Sequence, residues 1–261
     1  MGNGPALIAH QLTKLKGVSR DTISVEERPF ELGTTFTVLR AISEKVKGAI
    51  ESHHLPILLA GGCLSSLGSL AAVGTESTAL IWFDAHGDFN TPETTPSGFI
   101  DGMAIAAITG RCWRTLTASV PGFVALPEKN VVLIGARDLD SEERTALENS
   151  KIKRLTPQSL RQHGIENALR EVLASRPERA YVHLDLDVLD RSEARVNEYS
   201  CSGGLTVAEL LEIIHFIGHN RAIVGASITA YDPSVDDDSK ALDAAVAAVK
   251  AVLAGACIDV S

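Results

Sequence analysis

The sequence predicts a three-layer α/β/α domain on a mostly parallel sheet, and three observations predict it. Strand and helix signals alternate from one end of the chain to the other, the pattern of strands joined by crossover helices. The strand-like runs 79–83 and 130–135 are continuously apolar, as strands buried on both faces are. Two strand runs end abruptly in acidic residues, and open α/β sheets bind ligands beyond the carboxyl ends of their strands.

In order, 5–16 reads as a helix with Pro5 in its first turn. A second helix is predicted over 35–52, leading into a strand at 55–60. A short helix follows Gly61-Gly62, then strands at 79–83 and 130–135 and a weaker one at 152–156. Helix 165–175 precedes strand 180–184. Thr206 and Glu209 have capping-box spacing and open a helix to about Ile217. Strand 222–229 and an Ala-rich helix over 239–253 close the pattern. No linker, repeat or low-complexity tract interrupts it, so residues 1–261 read as one domain.

The formal charge of −9 argues against nucleic acid or an anionic membrane as partner. No apolar run approaches the roughly 18–20 residues of a membrane span, and the first residues lack the basic-then-apolar pattern of a signal peptide. Cys63, Cys112, Cys201 and Cys257 show no CxxC spacing and suggest no disulfide framework. The expected compartment is cytoplasmic.

The chemistry concentrates in Asp84-Ala85-His86-Gly87-Asp88 and in Asp185-Leu186-Asp187, each at the end of an apolar strand. Side chains at i, i+2 and i+4 of an extended chain share a face, so Asp84, His86 and Asp88 can converge, as can Asp185 and Asp187. Four carboxylates and an imidazole suit two bridged divalent cations, and the oxygen-rich set suits Mn²⁺ better than Zn²⁺. Two ions about 3.5–4 Å apart can hold and ionise a water, the nucleophile of metal-assisted hydrolysis.

Both motifs, with the segment 89–98 after the first and Ser227-Ile228-Thr229-Ala230-Tyr231-Asp232-Pro233, resemble the ureohydrolase family of arginases, agmatinases and formiminoglutamases over almost the whole chain. The resemblance implies the arginase-like fold and a homo-oligomer, trimer or hexamer. It also implies two Mn²⁺ per subunit and hydrolysis of a small guanidino compound. In that family's terms Asp84 and Asp185 bridge the ions, Asp88 and His86 each complete one site, and Asp187 binds the second. Asp88 also orients the nucleophile. Asn90 and Ser97 hold the carboxylate end of an amino-acid substrate, and Asp140, in Arg137-Asp138-Leu139-Asp140, its α-amino group.

The chain departs from that pattern at three positions. Cys63, in Ala60-Gly61-Gly62-Cys63, stands where the family has a metal-binding His; it is either a ligand softer than Mn²⁺ prefers or a buried inert thiol. Asp101 stands where arginases have a proton-shuttling His, a role a carboxylate of raised pKa can fill. Ala230 replaces the Glu that pairs with the guanidinium, so arginine should bind poorly unless Asp232 or Glu93 compensates. Cys63 together with the segment 86–95 resembles the branch that hydrolyses N-hydroxyarginine. The alternatives are another amidine substrate, or a catalytically impaired relative with a structural or regulatory role. The family's Gly-x-Gly-Pro turn falls at residues 2–5, which implies that its first strand is missing. Elsewhere, His183 reads equally as support for the acidic motif or as a packed core imidazole. His53 and His54 read as surface, Asp236-Asp237-Asp238 as a solvated charge run, and Trp82 and Trp113 as core.

Overall fold

The computed structural model describes residues 2–256, so Cys257 lies outside the described residues. Six strands form one parallel sheet: β1 (Ile57–Leu59), β2 (Thr78–Phe83), β3 (Val131–Ile134), β4 (Lys153–Leu155), β5 (Arg179–Asp185) and β6 (Ala222–Thr229). Their spatial order is β1-β6-β5-β2-β3-β4. The chain builds outward from β2 through β3 to β4, then returns to lay β5 on the other side of β2. The connections leaving β2 and β5 therefore diverge, and a crevice opens between their carboxyl ends, where parallel sheets place ligands.

Side-chain alternation along the strands divides the interior into two layers. Ile81, Phe83, Val132, Val182 and Leu184 point to one face. There they pack under α1 (Gly4–Leu12), α7 (Pro157–His163), α8 (Ile165–Leu173), α9 (Val207–Asn220) and α10 (Lys240–Gly255). Leu80, Trp82, Leu133 and Tyr181 point to the other, under α2 (Glu31–Glu51), α3 (Ser66–Val73), α4 (Ala104–Ile108) and α6 (Ser141–Glu148). The short α5 (Arg114–Thr117) follows α4. Among the described residues no helix is long and apolar enough to cross a membrane.

Capping chemistry sets several boundaries. Thr206 Oγ1 accepts from the Glu209 amide at 3.1 Å while Glu209 Oε2 accepts from the Thr206 amide at 2.8 Å, the expected capping box of α9, a device worth about 1 kcal/mol. The predicted helix 5–16 ends at Leu12, and the one expected from residue 35 begins at Glu31. Helices α4, α5, α6 and α7 were not expected. One sequence reading is corrected: Asp236 is not solvated but 9% exposed. Its carboxylate accepts from the Ala241 and Leu242 amides at the start of α10 and from the Tyr231 hydroxyl. His53 and His54 are exposed, as expected.

Candidate metal centre

Strands β2 and β5 are neighbours with Phe83 opposite Leu184, so Asp84 and Asp185 leave the sheet side by side. Asp84 is 1% exposed. Its Oδ2 accepts from the Trp82 indole at 3.1 Å and its Oδ1 from the His86 amide at 2.7 Å. Trp82 is thus core and site at once. His86 Nδ1 lies 3.2 Å from Asp84 Oδ1 and 3.5 Å from Asp187 Oδ2. Asp187 is held by the Ala85 amide and the Asn197 side-chain amide, and Asp185 Oδ1 accepts from the Asp187 amide at 2.8 Å. Cys63, delivered by the turn after β1, donates its thiol to Asp185 Oδ2 at 2.9 Å and has Thr229 Oγ1 at 3.2 Å.

Asp88 adopts a left-handed backbone conformation with φ 48°, and its carbonyl accepts from the Ile105 and Ala106 amides, joining the acidic loop to α4. Its buried Oδ2 has no protein partner. The donor atoms fall into two groups, Cys63–Asp84–His183 and Asp84–His86–Asp187, with all atoms in each within 4.8 Å of one another. Asp84 is common to both.

The electrostatics show a centre short of positive charge. Burial, then the neighbouring carboxylates, push the Asp88 and Asp185 carboxyls well above the usual range. Asp187 is pushed up to about 6 by burial and by Asp84. Burial works against a charged His86, but its hydrogen bond to Asp84 and the charge of Asp187 outweigh that and raise it to about 9. Burial, and then Asp185, also raise the Cys63 thiol strongly. Divalent cations reverse this logic, because they stabilise the carboxylate and thiolate forms. The residues present therefore fit such ions: buried donors of the right chemistry, raised carboxyls, and unpartnered atoms at Asp88 Oδ2 and His183 Nε2.

Above the cluster a cavity of about 290 Å³ is lined by Asn90, Ser97, Asp101, Asp140 and Ala230, so every residue expected to touch substrate reaches one space. Asn90 Nδ2 donates to Asp140 Oδ2 at 2.9 Å, while Ser97 sits exposed on the rim. Asp101, raised chiefly by burial, accepts from the Leu64 amide at 2.9 Å. Its carboxylate packs on Gly62 where any Cβ would collide with it, which explains a glycine one residue before Cys63. Ala230 takes φ 64°, and its carbonyl accepts from Asn197 Nδ2 at 3.1 Å. Neither residue expected to compensate for the lost Glu lines this cavity: Glu93 is exposed, and Asp232 is turned onto Ser234. A larger groove of about 570 Å³ between α8 and α9 is lined by none of the strand-end acids.

Sequence reasoning missed Glu143, Asn197 and Tyr199, all lining the cavity. Glu143 is 4% exposed, accepts from the Phe89 amide at 2.9 Å, and is raised to about 7, chiefly by burial. The one signal for it was the acidic first turn of α6, which reads as a solvated helix start. Tyr199 stands edge-on to His86 and stacks with Phe99 at 5.9 Å, an aromatic wall that nothing local in the sequence announces.

A parallel sheet whose two central strands bring buried carboxylates to one crevice fits the ureohydrolase family that the sequence resembles. The profile of the Arginase family matches residues 4–255, and the chain belongs to that family. It is similar to the arginase of Bacillus caldovelox, with 33% identity over 211 residues covering 79% of this chain and 71% of that protein. The crystal structure of arginase from Bacillus cereus superposes with a TM-score of 0.87 at 28% identity, covering 99% of this chain and 93% of that one. Formimidoylglutamase from Bacillus subtilis shares the fold at a TM-score of 0.76 and 21% identity, covering 97% and 80% of the two chains.

Proposed function

We propose that this protein is a two-metal amidinohydrolase that cleaves a carbon–nitrogen bond of an arginine-like guanidino compound, N-hydroxyarginine being the favoured substrate, and releases urea or a urea derivative. The observation that carries the reading is Asp84, buried beneath the cavity and shared by two donor groups whose Cys63, His86 and Asp187 line it. Family resemblance supports Mn²⁺ as the resident ion, two per subunit, and a homo-oligomer, trimer or hexamer, in the cytoplasm. Cys63, Asp84, Asp88 and Asp185 would hold one ion, and Asp84, His86, Asp185 and Asp187 the other. Such ions would supply Lewis-acid activation of water and of the guanidino group.

The chain's own residues do the rest. Asp88 Oδ2, buried and unpartnered, accepts a hydrogen bond from the attacking water and fixes its approach. Asp101, half-buried and raised, passes a proton to the leaving amine. Asn90, Ser97 and Asp140 grip the amino-acid end. Ala230 leaves the guanidinium without a facing carboxylate at that wall, which disfavours plain arginine.

The test is urea release from arginine, agmatine and N-hydroxyarginine by the wild type and by Ala230→Glu. N-hydroxyarginine should be the best substrate of the wild type. The substitution should raise arginine turnover by roughly one to two decades, since one charge-assisted hydrogen bond is worth about 1.5–3 kcal/mol. Efficient wild-type use of agmatine, or an unresponsive Ala230→Glu, would sink the substrate assignment. Hydrolysis of a different amidine alone would move the reading to that substrate.

A further inference from the structure

His183 sits two residues before Asp185 on β5 and is fully buried. Its ring is fixed from three directions. It stacks on Trp82 with centroids 3.5 Å apart and planes inclined by 21°. Its Nδ1 is 2.7 Å from Ser66 Oγ and 2.9 Å from Ser227 Oγ, and those hydroxyls are 2.9 Å from each other. Nε2 is buried with no protein partner. A core imidazole kept for packing alone would leave that nitrogen at the cost of a lost hydrogen bond. The serine pair instead engages Nδ1, and this is how metal-binding histidines are oriented: one ring nitrogen is held by the protein while the other is offered to the ion. A ring nitrogen of His183, Cys63 Sγ and a carboxylate oxygen of Asp84 lie within 4.8 Å of one another.

We propose that His183 is itself a metal ligand through Nε2. Resting on the two-metal reading, this makes the Cys63 half of the centre a sulfur, nitrogen and carboxylate site. The imidazole that the turn after β1 lacks at Cys63 is supplied from strand β5. Thiolate and imidazole together are a softer donor set than the Asp84–His86–Asp187 half, and they favour Zn²⁺ or Co²⁺ over Mn²⁺. The two halves therefore discriminate between ions: the more open half keeps the Mn²⁺ that the family resemblance supports, and the buried half departs from it by preferring a softer ion.

X-ray absorption at the zinc edge of metal-stripped wild-type protein given one equivalent of Zn²⁺ tests this. The shell should contain one sulfur at about 2.3 Å and at least one imidazole nitrogen at about 2.0–2.1 Å, and excess Mn²⁺ should leave it in place. In a parallel titration with Co²⁺, His183→Gln should weaken the site with the thiolate charge-transfer band by about tenfold or more. The second site, which lacks that band, should keep its affinity. A zinc shell with sulfur and no imidazole, or an unchanged Co²⁺ titration in a folded His183→Gln, makes His183 a packing residue and overturns the proposal. A shell with imidazole and no sulfur overturns the selectivity. Failure of the wild type to bind any divalent ion would instead remove the two-metal reading itself.

Discussion

Glu143 shows how a single residue's environment decides its chemistry. In the chain it is one of two adjacent glutamates in a polar stretch; in the fold it is buried against Gly87, where a Cβ would collide with its carboxylate, and beside the acidic cluster. Its folded pKa is raised to about 7, chiefly by burial. In the folded state it therefore keeps a proton over a range, from about 4 upward, in which the unfolded chain has lost it. A raised carboxyl pKa costs stability as pH rises through that window. Glu143→Gln should accordingly be close to neutral at pH 5 and gain stability over the wild type at pH 8, measured by urea unfolding of metal-free protein. Equal pH dependence in the two proteins would mean that Glu143 titrates normally. Legibility follows the same line. Asp84, His86, Asp88, Asp185 and Asp187 could be singled out because a two-residue period marks them. Glu143, Asn197 and Tyr199 are brought to the cavity by tertiary packing that no local pattern encodes.

Elements were legible where local chemistry marks them and illegible where it does not. The start of α9 has a capping box and was readable from Thr206 and Glu209. The start of α2 was misplaced because its N-cap, Phe30, is extended and makes no side-chain cap, so no Ser, Thr, Asp or Asn announces it. Helix α6 buries little beyond Glu143 and Leu147 and so lacks an apolar stripe. The exit of β5 depends on one side chain from elsewhere. Arg137 donates to the carbonyls of Gly135, Asp187, Val188, Leu189, Cys201 and Ser202, tying the acidic turn to two other segments. Lysine has the charge but not the planar fork. Arg137→Lys should lose about 1.5–3 kcal/mol of stability in denaturant unfolding and should bind the metal at Asp187 more weakly. A variant of unchanged metal affinity would show that the turn holds its shape without the clamp.

At the scale of the whole molecule, the alternating strands and helices specify a parallel sheet, but they do not specify the order β1-β6-β5-β2-β3-β4. That order puts two acid-tipped strands, about a hundred residues apart in the chain, side by side, and the candidate site exists only because of it. The fold thereby concentrates Asp84, Asp88, Asp185, Asp187 and Glu143 in one buried region of a chain whose net charge is −9. Without cations this arrangement opposes folding, and the direction with pH follows from the shifts. Asp88 and Asp185 are raised well above the ordinary range and Asp187 to about 6, so each costs stability as pH rises from about 4 through its folded pKa. His86, raised to about 9, contributes stability that is present below about 6.5 and lost as pH climbs through 9, which adds in the same direction. Metal-free protein should therefore melt at a lower temperature at pH 8 than at pH 5. Mn²⁺ at pH 8 should restore the difference, contributing about 2.7 kcal/mol when free metal exceeds its dissociation constant a hundredfold. The measurement is thermal unfolding at the two pH values, with chelator and with Mn²⁺. A melting temperature insensitive to both pH and Mn²⁺ would mean that the carboxylates are not held together against their own charge, and the two-metal centre would fall with that result.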